Sequence, residues 1–190
     1  MEITITKGQV QALLKIAPKK DIRYYLNGAL LEVNGEGAWL VATDGPVMLV
    51  GLVTGNIEMR EQGRWIVPRD ILELATATKA KKFFIEVRGA APNGYINNLP
   101  FEPVDGIYPD WRHVIGSPCD HRAHDWPQFN PELLCRVHDA GKLYEGITKA
   151  AARSYLCSDG SMLHYRWPTC MGVAMALRAD ALDAVDQIPL

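Results

Sequence analysis

The sequence predicts an α+β fold assembled from repeated strand–helix–strand–strand–strand units. Three observations carry this. Runs of period-two apolar alternation are interspersed with shorter stretches of helical period. Turn signals such as Asn34-Gly35-Glu36-Gly37 separate the extended runs. Three helix starts fall near Lys7, Pro68 and Pro131, 61 and 63 residues apart in a chain of 190, about a third of the length each time.

The first unit opens with Met1–Thr6, where Ile3 and Ile5 alternate with Thr4 and Thr6. Val10, Leu13, Leu14 and Ala17 then recur at i, i+3, i+4 and i+7, an amphipathic helix that ends before Pro18. Tyr24–Val33, Ala38–Thr43 and Val47–Val53 are three extended runs. The order restarts with the strand Gly63–Val67. Pro68 fits the first helical position, where its missing N–H costs nothing, and Ile71, Leu74, Ala75 and Thr78 are the expected buried face. Lys82–Arg88 is extended with Phe83, Ile85 and Val87 on one side, Ala90–Gly94 turns, and Tyr95–Val104 is extended again. A third restart has Asn130 as N-cap and Pro131 at N1, with Leu133, Leu134 and Val137 apolar. Strands are expected at Ser154–Cys157, Met162–Trp167 and Val173–Leu177, with a turn at Ser158-Asp159-Gly160, and a last helix over Ala179–Gln187. The expected division is a complete domain at 1–117 (units 1–55 and 56–117), a connector at 118–127 and a third unit at 128–190.

The chain carries 20 basic and 22 acidic residues, a net charge of −2, and 48% hydrophobic residues. This excludes collagen-like, disordered and low-complexity chains. No apolar run is long enough to span a bilayer, and Met1-Glu2-Ile3-Thr4 lacks the basic start and apolar core of a signal peptide, so a cytoplasmic location is expected. The near-neutral total hides blocks. Lys7, Lys15, Lys19 and Lys20 occur with no acid between Glu2 and Asp21; Lys79, Lys81 and Lys82 occur with none between Glu73 and Glu86; Asp180, Asp183 and Asp186 make an acidic tail.

Four cysteines without a Cys-x-x-Cys pair read as reduced thiols. Cys119, His121, His124, Cys135 and His138 are candidate zinc ligands, but their spacing matches no standard zinc module, and scattered loop residues are the stronger reading. No nucleotide loop, nucleophile elbow or metalloprotease motif is present. Asp44 reads as a turn residue, and Asp105, Asp110 and His113 as loop residues. The expectation is a non-enzyme without cofactor or metal.

Two segments, Arg23-Tyr-Tyr-Leu-Asn-Gly28 and Val41-Ala-Thr-Asp-Gly45, resemble in order and spacing the middle domain of the bacterial DNA polymerase III beta subunit, the sliding clamp. Trp65-Ile-Val-Pro-Arg-Asp-Ile-Leu-Glu-Leu74 resembles the second strand–helix of that domain, and Val104-Asp-Gly-Ile-Tyr-Pro-Asp-Trp-Arg-His-Val-Ile115 its closing segment. More weakly, Phe129-Asn-Pro-Glu-Leu-Leu134 and Val173-Ala-Met-Ala-Leu-Arg178 are similar to the last half-domain of the same clamp.

The resemblance implies a clamp fold with helices on one face of antiparallel sheets. It also implies a helix face that meets duplex phosphates without reading sequence. Lys7, Lys15, Lys19 and Lys20 would serve from the first helix, Arg69, Lys79, Lys81 and Lys82 from the second, and Arg136 and Lys142 from the third. A solvated lysine surface is the bland alternative. The resemblance further implies a hydrophobic pocket for short peptides of polymerases and other clamp partners. By motif it would involve Tyr25, Leu26, Thr43, Gly45, Pro46, Val47, Met48, Pro109, Val114, Val173 and Met175. Here the chain departs from the family: Pro46-Val47-Met48 stands where His-Arg-Leu is usual, His113 where arginine is common, and Ala176 where the terminal proline is expected.

An odd number of units leaves sheet edges and apolar surface to cover, so a homo-oligomer is expected, a dimer or a ring-forming tetramer. Twelve units close the family ring, and four chains of three would supply them. The function implied is a sliding-clamp-like protein that binds duplex DNA without sequence specificity and tethers replication or repair partners. The alternative is a clamp-fold interaction module that binds clamp partners, or a host clamp, without encircling DNA.

Overall fold

The computed structural model describes residues 2–53, 57–58, 62–87, 94–115, 127–149, 152–157 and 160–177. Strand β1 (Glu2–Thr6) runs directly into helix α1 (Lys7–Ile16). Thr6 and Gln9 form a reciprocal capping box there, each side chain meeting the other's backbone N–H. Strands β2 (Gly28–Asn34), β3 (Gly37–Thr43) and β4 (Val47–Leu52) follow as a meander. The second pass gives the short strand β5 (Ile57–Glu58), β6 (Gly63–Pro68), α2 (Arg69–Ala77), β7 (Lys82–Val87), β8 (Gly94–Ile96), β9 (Leu99–Phe101) and the one-turn helix α3 (Trp111–Ile115). The third gives α4 (Pro131–Glu145), β10 (Arg153–Leu156), β11 (Met162–Arg166) and β12 (Cys170–Met175).

Two antiparallel sheets result, β5-β1-β7-β8-β9 and β10-β11-β12-β4-β3-β2-β6. Each of the first two passes lends its opening strand to the other: β1 pairs with β7, and β6 with β2. The third pass adds its strands to the first through the β12–β4 pair, Val173 facing Met48 and Cys170 facing Gly51.

The helices pack on one face over the main core. Ile5, Val10, Leu13, Leu31, Leu40, Leu49, Phe83 and Val137 are among the residues closed off there. The other face of the seven-stranded sheet holds a second core, in which Leu30, Val41, Val50 and Ile66 are covered by Tyr108, Trp111 and Ile115. Strand β2, covered on both faces, is therefore apolar nearly throughout.

The expected cap and N1 proline of the third helix are present: the Asn130 side chain accepts from the Glu132 N–H at 2.9 Å, and Gly146 closes α4 in the left-handed region at φ 70°. Phe83, Ile85 and Val87 are fully buried as expected. Four expectations need correction. Pro68 is the N-cap of α2 and the last residue of β6, not the first helical residue. Tyr24–Leu26 is a 3-10 turn, not the start of a strand. Asn27 holds that turn by exchanging hydrogen bonds with the backbone of Asp21. Tyr95–Val104 is not one run, because Asn97 turns the chain at φ 53° between β8 and β9. On α2 the buried pair is Leu72 and Ala75, while Leu74 is 54% exposed. Arg69 fixes this rotation. Its guanidinium caps the C-terminal carbonyls of α1 at Leu14 and Ala17, and Leu72 and Ala75 follow it on the same side of the helix. The Ser158–Asp159 turn residues, the Ala179–Gln187 helix, the acidic tail and all of the connector but Pro127 lie outside the described residues.

Helices α1 and α4 approach closely at Gly8, where an added Cβ would lie 2.5 Å from the Leu143 carbonyl oxygen. Gly8→Ala should therefore lower unfolding stability by about 1–3 kcal/mol, as overpacking does, although alanine is the better helix former. Urea denaturation checks the sign; a stabilised variant would contradict the close approach.

Candidate partner pocket and nucleic-acid face

Cross-strand register assembles one row on the outer face, the side of the seven-stranded sheet away from the helices. Thr43 faces Met48, Met48 faces Val173, Val173 faces His164, and His164 faces Tyr155. Paired residues point to the same side, so these five side chains lie in line. Met48 and Val173 join Leu26 in the second core, and Tyr25 and Val114 pack on it half-buried. Five residues of the expected pocket thus meet from four distant segments.

The remaining six are placed around or away from that floor. Thr43 is buried, and its hydroxyl donates to the Val47 carbonyl at 2.8 Å and accepts from Gly45 N–H at 3.1 Å, which shapes the β3–β4 turn. Gly45, at φ 105°, lies against the Arg23 guanidinium. Pro46 is exposed, and its carbonyl accepts from Met175 N–H at 2.9 Å. Met175 is 47% exposed at the rim. Pro109 is half-buried, its carbonyl receiving Arg64 at 3.4 Å. Val47 is corrected: it points to the helix side and is part of the main core, since it alternates with Met48 along β4.

Two side chains near this floor escaped the sequence reading. Tyr108 is buried with its hydroxyl accepting from the Thr43 N–H at 3.1 Å, which ties the closing segment to the sheet. His164 is 2% exposed, and its Nδ1 has no hydrogen-bond partner. A histidine among alternating strand residues gave no signal of this. Nearby, Glu32 is nearly buried beneath Arg64 and Arg112, and Arg112 also stacks on Trp111 at 4.0 Å.

Nine of the ten expected basic residues lie on or beside the helices and separate into two groups; Lys82 is corrected, since it alternates with Phe83 on β7 and starts on the face of the five-stranded sheet away from the helices. Arg69 is turned inward on α1 and bonds Glu73 at 2.8 Å. Arg136 pairs with Asp44 of the β3–β4 turn. Both are corrected: their charges serve the protein's own packing. Asp139 sits between Lys15 at 3.3 Å and Lys142 at 3.7 Å. Lys7 donates to the Thr78 carbonyl at 2.8 Å. Lys19, Lys20, Lys79, Lys81 and Lys82 are exposed and form no ion pair among the described residues. Because the Lys7 N–H bonds the Lys81 carbonyl at 2.9 Å, Lys7, Lys79 and Lys81 gather around one end of α1.

Cys119, His121 and His124 lie outside the described residues. Cys135 is exposed, and the His138 ring packs against Tyr165 and Trp167. Among the described residues no group of three His, Cys, Asp or Glu is placed to hold a metal, and no helix is long and apolar enough to cross a membrane.

No family model matches the chain. The beta sliding clamp of Pseudomonas aeruginosa is 48% identical over 142 residues, covering 72% of this chain and 35% of that protein. The chain is a homologue of the bacterial beta sliding clamps. The beta sliding clamp of Vibrio cholerae is 29% identical over 124 residues, covering 60% of this chain and 34% of the other. The match thus spans about a third of the length of these curated relatives. Solved structures agree in fold. The Pseudomonas aeruginosa DNA polymerase III beta subunit superposes with a TM-score of 0.66 at 18% identity, over 94% of this chain and 66% of that one. The Borrelia burgdorferi subunit, solved with a natural product, gives 0.70 at 12% identity over 94% and 64%.

His164 makes stability depend on pH. Burial pushes its imidazole below the ordinary range, so the unfolded chain binds the proton more readily. Stability should be full above about pH 6.5 and fall as the pH drops from there toward the folded value. Asp21, held down to about 2 by its hydrogen bonds with Arg23, titrates well below that window. His164→Gln should flatten the slope of denaturation midpoint against pH between 5 and 7; an unchanged slope would contradict the assignment.

Proposed function

We propose that this clamp homologue holds duplex DNA, without reading its sequence, against the helix layer while docking short apolar peptides of partner proteins on the outer face. The observation that carries the proposal is the convergence of Tyr25, Leu26, Met48, Val114 and Val173 on one apolar cluster, in which Leu26, Met48 and Val173 are buried and Tyr25 and Val114 remain half-buried at the surface. The sheet separates that apolar cluster from the lysines beside the helices, so both surfaces are usable at once. Phosphate contacts from Lys7, Lys19, Lys20, Lys79 and Lys81 would be non-specific, releasing counterions rather than reading base edges. The proposal includes a complete clamp domain at 1–117, a connector, and a third unit at 128–190. It also includes a homo-oligomer, either a dimer or a four-chain ring, to cover the remaining sheet edges. Strand β9 carries Pro100 on its edge, a device that discourages pairing, whereas β10 has no proline.

The second reading, an interaction module that does not encircle DNA, is favoured by the internal pairing of Lys15, Arg69, Arg136 and Lys142. Lys19, Lys79 and Lys81 decide between the two. Replacing all three by alanine should weaken duplex binding by about tenfold or more at low salt. It should also reduce the slope of log affinity against log salt by about 2–3, since each phosphate left without its lysine removes about 0.9. Fluorescence anisotropy with a labelled duplex reads both. Arg69→Ala should lower stability while leaving that slope unchanged. Wild-type protein with no salt-dependent duplex binding would favour the interaction module.

A further inference from the structure

The outer face holds a recess one step along the strands from that apolar cluster. A cavity of about 290 Å3 is lined by Val50, Met171 and the packed pair Trp39 and Trp111, with Arg166 also in its lining. The two indole rings are 5.3 Å apart between centroids and tilted by 44°. Val50 follows Met48 by two residues on β4, and Met171 precedes Val173 by two on β12. Each pair therefore shares a face, and the two floors are about 7 Å apart.

The charge around this recess is unbalanced. Arg166 stands directly opposite Arg153 in the β10–β11 pair. Like charges so placed repel each other and weaken the pair. Both arginines are exposed, and neither has a carboxylate partner among the described residues. Beside the recess, Glu32 faces Trp39 across the β2–β3 pair, accepts from the Trp111 indole N–H at 3.3 Å and is shared by Arg64 and Arg112, so among the described residues one arginine pair is neutralised and the other is not. An aromatic recess and a guanidinium pair without a carboxylate partner among the described residues together describe a ligand with an apolar side chain and a carboxylate.

We propose that this recess is a second docking pocket, taking an aromatic or large aliphatic side chain of a partner peptide whose adjacent carboxylate is held by Arg166 and Arg153. The proposal rests on the docking role proposed for the first pocket. An extended peptide advances about 3.3 Å per residue, so side chains two apart reach both floors. A guanidinium binds a carboxylate with two parallel hydrogen bonds, which fixes the direction in which the peptide lies. The recess is at the small end of ligand pockets and suits one ring rather than a larger molecule.

Three capped peptides test this by NMR titration of the full chain: acetyl-Leu-Ser-Phe-Asp-amide, its asparagine counterpart acetyl-Leu-Ser-Phe-Asn-amide, and acetyl-Leu-Ser-Ala-Asn-amide. Methyl signals of Met48 and Val173 report the first pocket; indole signals of Trp39 and Trp111 report the second. The aspartate peptide should bind about fivefold more tightly than its asparagine counterpart and shift both indoles. The alanine peptide should shift only the first-pocket methyls. Arg166→Glu, a surface change, should abolish the aspartate preference, and a peptide with lysine in place of aspartate should regain affinity for that variant. Equal affinities with silent indoles would overturn the second pocket while the first-pocket shifts survive. If no peptide shifts either set of signals, both the first-pocket role and this proposal fall.

Discussion

Pairing of β12 with β4 is the constraint on which the rest of the structure depends. It joins strands separated by more than a hundred residues into one seven-stranded sheet. Because strand side chains alternate, this single register assigns every residue of β10–β12 to one of two faces. Val173 thereby completes the apolar floor with Met48, and Ala174 joins the main core. A slip of one residue would exchange these roles, burying His164 and Arg166 under α4 and turning Tyr165 outward. The same pairing brings α4 beside α1, where Gly8 allows the close approach and Asp139 meets Lys15.

Charge on the helix layer is shaped by what the fold takes for itself. Arg69 supplies carbonyl partners that the end of α1 lacks, and charge-assisted hydrogen bonds of this kind contribute about 1.5–3 kcal/mol each. Arg136 ties α4 to the β3–β4 turn that also borders the pocket. The exposed lysine pairs with Asp139 contribute much less, and salt weakens them further. The field offered to a polyanion therefore comes chiefly from chain segments after the helices, at Lys19–Lys20, Lys79 and Lys81, rather than from the helix bodies.

Much of this was legible in the residues. Asn130-Pro131 announced a capped helix because capping is local chemistry, and Phe83-x-Ile85-x-Val87 announced a half-buried strand because its period is two. Tertiary constraints were not legible. Nothing within residues 69–78 shows that Arg69 reaches α1, yet that contact rotates α2 and exposes Leu74. A local helix pattern cannot distinguish the two faces when leucine occurs on both. The pocket was legible only in part. The motif resemblance named Leu26, Met48, Val114 and Val173, which meet in one apolar cluster, but it carried Val47 along with them. Alternation along β4 sends that side chain to the opposite face. His164, Trp39 and the Arg153–Arg166 pair carried no motif at all; only register brings them beside the pocket row.

The measurement that bears most directly on the account is retention on DNA of different topology. The protein is assembled on a nicked circular duplex, isolated at moderate salt by gel filtration, and the duplex is then linearised by a restriction enzyme. An oligomer with duplex held along its helix layer in a closed ring should co-elute with the circle and be released on linearisation. Equal retention on circle and line would show an ordinary surface contact. No retention on either, together with intact peptide docking, would contradict the DNA-holding role and leave the outer face as the functional surface.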